Sequence, residues 1–477
     1  MQKILLFIAS LFYFNFLFAK DEIKSWQGIH ETPLSCLEQQ FAEPPVEFAN
    51  HVIWGWEGKM DKKTICNDLD SIKKKGFRAV IFEAGYKLPF KYLSEEWFKA
   101  IRTGVVEAKK RDMKVWIIDE GKYPSGFAGG KFSQERPDLR MQALVIGDTI
   151  QIKRGEVMTN HKIAPEIISA VAVSTSGAPN RTVAINNGEI SFNAGLDDWK
   201  ILLVKSDFRT AVTRAVNNPN GGKDATNSLC DYLNPVAVQQ FIDWTHKQYK
   251  KYLGKELGTT VLGFRGDEPD YAHLPWTPSI VQTFKETKGY DPTPYLASFF
   301  TASPTIQEQR VKADYWDVWS SLFATHFFKL QADWCAANGV AHITNLNKEH
   351  EMPACVKAEG DYFRALSKVQ IPGVDAIWNQ IWPSTLNDFP KLASSVAHVY
   401  GKPRAFSESF AAYLISPTIP QAKFVVDHQI ARGINFFEFM FWPAGSKHRN
   451  WMSDPGMKGL NEYTNRTTYL MSQGKPG

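Results

Sequence analysis

From about residue 50 the chain alternates between two hydrophobic rhythms. Short continuous apolar runs, the pattern of strands buried on both faces, alternate with longer stretches whose apolar residues recur every three or four positions. Residues 51–56 predict a first strand, and 62–75, with Ile65, Leu69 and Ile72 at helical spacing, predict the helix after it. Residues 79–82 read as a second strand, 95–111 as a helix carrying Trp97, Ile101 and Val105, and 114–119 as a third strand. Strands alternating with helices of this length indicate βαβ units and a parallel sheet.

The rhythm breaks between about 141 and 220. Apolar runs at 169–173 and 200–204, with turn signals at Asn186-Asn187-Gly188 and Asn220-Gly221-Gly222, predict a β-rich insertion after strand three. The α/β pattern resumes with a helix over 235–256 and a strand over 261–264. A long helical region carrying Trp316, Trp319, Phe323, Phe327 and Leu330 follows. Residues 341–344, 373–377, 405–406 and 434–441 complete eight strands, and 460–471 predict a closing helix. Eight strands, each followed by a helix, is the count of a (β/α)8 TIM barrel. The fold class expected is therefore α/β, a catalytic barrel over 50–475 with the insertion at 141–220 inside it. Residues 20–49, with Pro33, Pro44 and Pro45, are expected to wrap the outside of the barrel.

Composition narrows the function classes. The 477 residues are 44% hydrophobic, enough for one large domain with an insertion or for two domains. A net charge of +5 with both signs interspersed gives no nucleic-acid-binding tail. At the N-terminus, Lys3, the apolar stretch 4–19 and the polar run Lys20-Asp21-Glu22 read as a signal peptide over 1–19. The stretch is shorter than the ~20 residues of a comfortable membrane span. A periplasmic or secreted product without stable membrane insertion after signal cleavage is expected. The five cysteines have no C-x-x-C spacing and no H-E-x-x-H is present, which argues against a zinc enzyme.

Two carboxylates break the strand pattern. Gly263-Phe264-Arg265-Gly266-Asp267-Glu268-Pro269 and Phe406-Ser407-Glu408-Ser409-Phe410 are apolar runs that end in Glu where a strand should stop. In a parallel barrel both would project into the mouth where sites are built, and a pair of Glu is the minimal equipment for glycoside hydrolysis. Pro269 biases Glu268 toward extended backbone, and Asp267 beside it raises its proton affinity. Ser407 and Ser409 would keep Glu408 ionised. A helix-capping role is the alternative for each Glu. Substrate-binding candidates are Trp54, Trp56 and Trp442, whose faces could stack on a sugar, with Asp119, Glu120 and Tyr123 of the glycine-rich loop after strand three. Asp267, Asn345 and Asn347 complete the set. The carboxylate spacing that separates inversion from retention is not legible in the sequence.

The chain resembles glycoside hydrolase family 106, the α-L-rhamnosidases. The likeness runs through Trp54-Gly55-Trp56, Asp68-Leu69, Gly76-Phe77-Arg78-Ala79-Val80, Asp119-Glu120 with Tyr123-Pro124-Ser125-Gly126, Gly266-Asp267-Glu268-Pro269, Gly360-Asp361-Tyr362-Phe363-Arg364 and Ser407-Glu408. The resemblance implies a (β/α)8 catalytic domain, an inverting mechanism with Glu268 and Glu408 as general acid and base, and calcium at the site. No cofactor is required by the residues alone, and the loop acids lack EF-hand spacing. Glu57-Gly58-Lys59 stands where the family has a glycine-rich turn after strand one. The expected function is an exported, exo-acting inverting α-L-rhamnosidase acting on an oligo- or polysaccharide from plants or microbes. The alternatives are a retaining hydrolase of another barrel family and a non-catalytic glycan-binding barrel.

Overall fold

A computed structural model describes residues 32–473, apart from 210–212, 215–222, 225–227, 272–273, 303, 385–386 and 446–449. The expected signal segment 1–19 and the turn at 220–222 lie outside the described residues.

Eight parallel strands close into a barrel: β1 (His51–Trp56), β2 (Ala79–Ala84), β3 (Lys114–Ile118), β4 (Val261–Asp267), β5 (Ala341–Asn345), β6 (Ile371–Ala376), β7 (Phe406–Ser409) and β8 (Phe436–Pro443), with β8 pairing back onto β1. Successive side chains of a strand point to opposite faces, and this alternation makes two cores. Ile53, Ile81, Trp116, Ile343, Ile371, Phe406 and Phe436 fill the barrel interior. Val52, Trp54, Val80, Phe82, Phe264, Val374 and Phe437 face outward and pack under the helical ring.

The ring supplies the second half of each βα unit. Helix α1 (Lys62–Lys74) starts on an Asp61 cap whose side chain accepts from the Thr64 N–H, and α2 (Glu95–Lys110) starts on Ser94 in the same way. The helix expected over 235–256 is broken into Pro235–Trp244 and α3 (His246–Leu253) at Thr245, which leaves helical geometry with φ −112° and ψ −87°. The Thr245 hydroxyl donates to the Phe241 carbonyl at 2.7 Å, a local bond that competes with continuing the helix. The long helical region resolves into Ile306–Leu322, a π-helical turn and α4 (Lys329–Ala337).

Between β3 and β4 the chain leaves the barrel. Gln142–Ile152, Ile167–Ser174 and Trp199–Phe208 pair antiparallel around a separate core containing Ala170, Ala172, Ile201 and Leu203. Asn187 and Gly188 turn a hairpin at φ 51° and 77°, the positive values that Asn and Gly tolerate best. At the N-terminal side Leu34–Ala42 forms a helix, and Thr32 accepts a hydrogen bond from the Tyr469 hydroxyl of the last helix (Met457–Met471) at 2.9 Å. No helix among the described residues is long and apolar enough to cross a membrane.

Candidate active site

At the C-terminal ends of the strands a cavity of about 820 Å³ opens, lined among others by Glu83, Tyr123, Asp267, Glu268, Asn347, Asp375, Trp378, Glu408, Phe441 and Trp451. Its size is in the ~300–1,000 Å³ range of small-ligand clefts. Glu268 and Glu408, remote in sequence, line the same cavity.

The strand register explains the convergence. Asp375 on β6 is level with Glu408 on β7, and Glu408 is level with Glu438 on β8. All three share the inward parity of Ile371, Phe406 and Phe436. Opposite them, β4 contributes Arg265, which is wholly buried. Its guanidinium is ion-paired with Asp267 and with Glu408, and its Nε donates to Glu438 Oε2 at 3.1 Å. One buried cation thus holds three carboxylates.

Glu268 sits one residue past β4, and Pro269 does not hold it extended: its φ is +37°. A non-glycine residue with positive φ is uncommon, and such departures concentrate at functional sites. There its carboxyl meets Asp375 in a side-chain hydrogen bond, while Asn345 Nδ2 donates to Asp375 Oδ1 at 2.5 Å. Burial, opposed by the hydrogen bond to Asp375 and reinforced by the charge of Asp267, pushes Glu268 up to about 7. Burial also pushes Asp375 well up, with the charges of Glu408 and Glu268 adding to it. Two carboxyls in hydrogen-bond contact share a proton and titrate as one unit. Burial pushes Glu408 well up, Arg265 pulls against it, and the charges of Asp267, Glu268 and Glu438 add to the rise. Glu438, the most deeply buried of the carboxylates on Arg265, is pushed up to about 7.

The structure also relocates several expected ligands. Trp54, Trp56 and Trp442 are buried and cannot stack on a sugar. Because Ile53 points into the barrel, Trp54 and Trp56 point out of it, where they pack edge-on against each other and meet Phe82 and Trp97. Trp54 Nε1 donates to Asp68 at 3.2 Å beneath that layer. Aromatic surfaces at the mouth include instead Trp378, 60% exposed, and Phe441.

Asp119 and Glu120 are likewise buried and do not line the cavity. Glu120 organises the glycine-rich loop, accepting from the N–H groups of Gly121 at 2.6 Å, Gly129 at 3.0 Å and Ala128. Asp119 accepts from the Ser125 hydroxyl at 2.6 Å, and Ser125 Oγ accepts from the Asp267 N–H at 2.7 Å. These bonds fasten the loop to the end of β4 and set Tyr123 at the cavity, where its hydroxyl accepts from Asn347 Nδ2 at 3.2 Å. Glu120→Ala is expected to destabilise the fold by at least about 1–3 kcal/mol, the cost of stranding one buried donor, read as a lower urea midpoint.

Tyr123, Asp267 and Asn347 line the cavity, whereas Asn345 is buried behind Asp375. Arg265, Asp375 and Glu438 were not expected from the sequence. Their signal was there: charged residues inside otherwise apolar strands, which nothing but a partner excuses.

Calcium, expected from the resemblance, meets oxygen donors of the right chemistry. Glu359 is buried, Oε2 of its carboxylate has no hydrogen-bond partner, and burial together with Asp270, Glu268 and Glu349 pushes it well up. A hard cation relieves that repulsion, so the donor set fits.

A family model described as alpha-L-rhamnosidase, glycoside hydrolase family 106, matches residues 180–476. A Formosa agariphila protein whose name proposes beta-glucuronidase activity is 22% identical over 92% of this chain and 42% of its own length. The solved rhamnosidase of Novosphingobium sp. PP1Y superposes with a TM-score of 0.69 at 15% identity, covering 92% of this chain and 61% of that one. A beta-galactosidase from Halorubrum lacusprofundi superposes at 0.50 with 9% identity, over 87% and 57% of the two chains. This chain thus spans less than two thirds of the length of each of these proteins. With the match over residues 180–476, the chain belongs to glycoside hydrolase family 106, the alpha-L-rhamnosidase family.

Proposed function

We propose that this protein is an exported, exo-acting inverting α-L-rhamnosidase of plant or microbial glycans, with Glu268 as general acid and Glu408 as general base. The observation that carries the reading is the meeting of these two carboxyls in one cavity, Glu268 beside the charge of Asp267 and Glu408 ion-paired with the guanidinium of Arg265. A carboxyl pushed up to about 7 still carries its proton in a substantial fraction of molecules at neutral pH and can deliver it to the glycosidic oxygen as the bond breaks. A carboxylate against a buried cation can take a proton from water on the opposite face of the sugar. Burial favours the neutral form of Glu408, and the guanidinium of Arg265 is the group that favours its ionised form. Trp378 and Phe441 offer faces on which the sugar ring can rest. When bound, calcium would be held by Glu359, Asp270 and Glu349 and would supply positive charge that offsets their mutual repulsion.

The test is a panel of aryl glycosides with identification of the released sugar. Release of rhamnose from the aryl α-L-rhamnoside supports the reading. Turnover of the β-glucuronide alone would transfer the activity to an acidic sugar, toward which Lys122 and Lys348 at the cavity offer charge. Binding without release would favour the non-catalytic alternative.

The pH profile follows from the proton on Glu268. The acid form is required, so kcat/KM is expected to fall as pH rises through about 7. With a strongly activated leaving group, residual turnover by Glu268→Gln should lack that decline. A decline that persists in the variant would assign it to another group.

A further inference from the structure

A second cluster of chemistry-bearing side chains lies outside the barrel, under the helices and away from the cavity. His246 opens α3, Cys335 lies in α4 and His342 lies on β5, whose outward face it takes because Ile343 points into the barrel. All three are buried, and one ligand atom from each lies within 4.8 Å of the others. Neither ring nitrogen of His342 has a hydrogen-bond partner.

The tautomer of His246 follows from its neighbour. The Thr245 hydroxyl spends its hydrogen on the Phe241 carbonyl at 2.7 Å, so toward His246 Nδ1, 2.9 Å away, its oxygen can only accept. Nδ1 therefore carries the hydrogen, and Nε2 presents a bare lone pair with no donor facing it. An oriented imidazole whose far nitrogen is held by a neighbouring oxygen is the arrangement seen around metal-ligating histidines. Leaving several such atoms buried without partners costs stability, and a cation would satisfy them together.

We infer that His246 Nε2, Cys335 Sγ and His342 form a structural site for a thiophilic d10 cation, with Cu⁺ favoured over Zn²⁺. Two imidazoles and one thiolate form a trigonal donor set suited to copper, whereas structural zinc sites take four ligands. Charge points the same way: one thiolate neutralises Cu⁺ but leaves Zn²⁺ a net charge among Phe264 and Trp334, whose rings lie 4.2 and 5.3 Å from that of His246. The ion would tie α3 and α4 to β5. No local motif announces the site, because its ligands meet only in the folded chain.

The test uses the full chain, expressed without a polyhistidine tag in copper- or zinc-supplemented culture and analysed for metal after desalting. About one equivalent of copper, lost in Cys335→Ser and kept in the half-buried thiol control Cys66→Ser, is the expected result. On the wild-type protein, X-ray absorption should show one sulfur and two nitrogen neighbours, a readout that does not depend on the variant folding. The loaded protein should melt higher than protein stripped of metal. Zinc retained in place of copper would overturn the charge argument. Retention of neither metal, or retention unchanged by Cys335→Ser, would overturn the site.

Discussion

Glu268→Gln and Glu408→Gln are each expected to lower kcat by at least ~10²-fold, the usual scale for losing a positioned acid or base. Gln keeps the shape of the side chain and removes its proton chemistry, so the fold should survive: circular dichroism and melting temperature should stay near wild type. The two variants should then part. Without the acid, the rate depends on how well the leaving group departs unaided, so Glu268→Gln should cost most on natural glycans and least on a dinitrophenyl glycoside. Without the base, attack by water fails whatever the leaving group, so Glu408→Gln should be slow on both. Azide should restore Glu408→Gln as an external nucleophile and yield a glycosyl azide of inverted configuration. Exchange of the two behaviours would exchange the roles. Near-normal rates in both variants would remove this pair from the chemistry.

Arg265→Met should be as damaging by a different route. The substitution leaves Asp267, Glu408 and Glu438 facing one another without the buried cation that holds them. Breaking a buried ion pair by removing one partner costs about 3–5 kcal/mol, so a large fall in the denaturation midpoint is expected. In whatever folds, Glu408 loses the charge that opposes its burial, so its proton affinity rises and the acid side of the kcat/KM profile should move to higher pH. A merely structural residue would lower stability without that displacement. The double variant Arg265→Met/Glu438→Gln removes one of the stranded carboxylates and should recover part of the stability. No recovery would mean that the three carboxylates are not held by Arg265.

The fold was legible because each barrel strand must be apolar on both faces, which makes runs such as 79–82 and 114–118 stand out from polar surroundings. Glu268 and Glu408 were legible for the same reason, as charges where packing offers no excuse. That argument, applied one step further, reaches Arg265, Asp375 and Glu438, which interrupt β4, β6 and β8. A strand end is not by itself an exposed position, and Trp54, Trp56 and Trp442 sit at strand ends yet are buried. Parity decides: with Ile53 inside the barrel, Trp54 and Trp56 face the helices. Asp119 and Glu120 misled because a carboxylate in a glycine-rich loop can serve the loop's own N–H groups as readily as a ligand. The backbone of Glu268 was not legible at all. Pro269 disfavours helical geometry before it, and the contact with Asp375 is made from a positive φ that no local preference predicts.

In the proposed mechanism Glu268 and Glu408 act from opposite faces of the sugar, with a water between the base and the reacting carbon. Proton NMR of wild-type protein with an aryl α-L-rhamnoside, recorded before mutarotation, tests it most directly. β-L-rhamnose should be the first anomer to accumulate, with the α form growing in only as the two equilibrate. First appearance of the α anomer would mean a covalent intermediate and a retaining enzyme, contradicting the roles assigned to the pair.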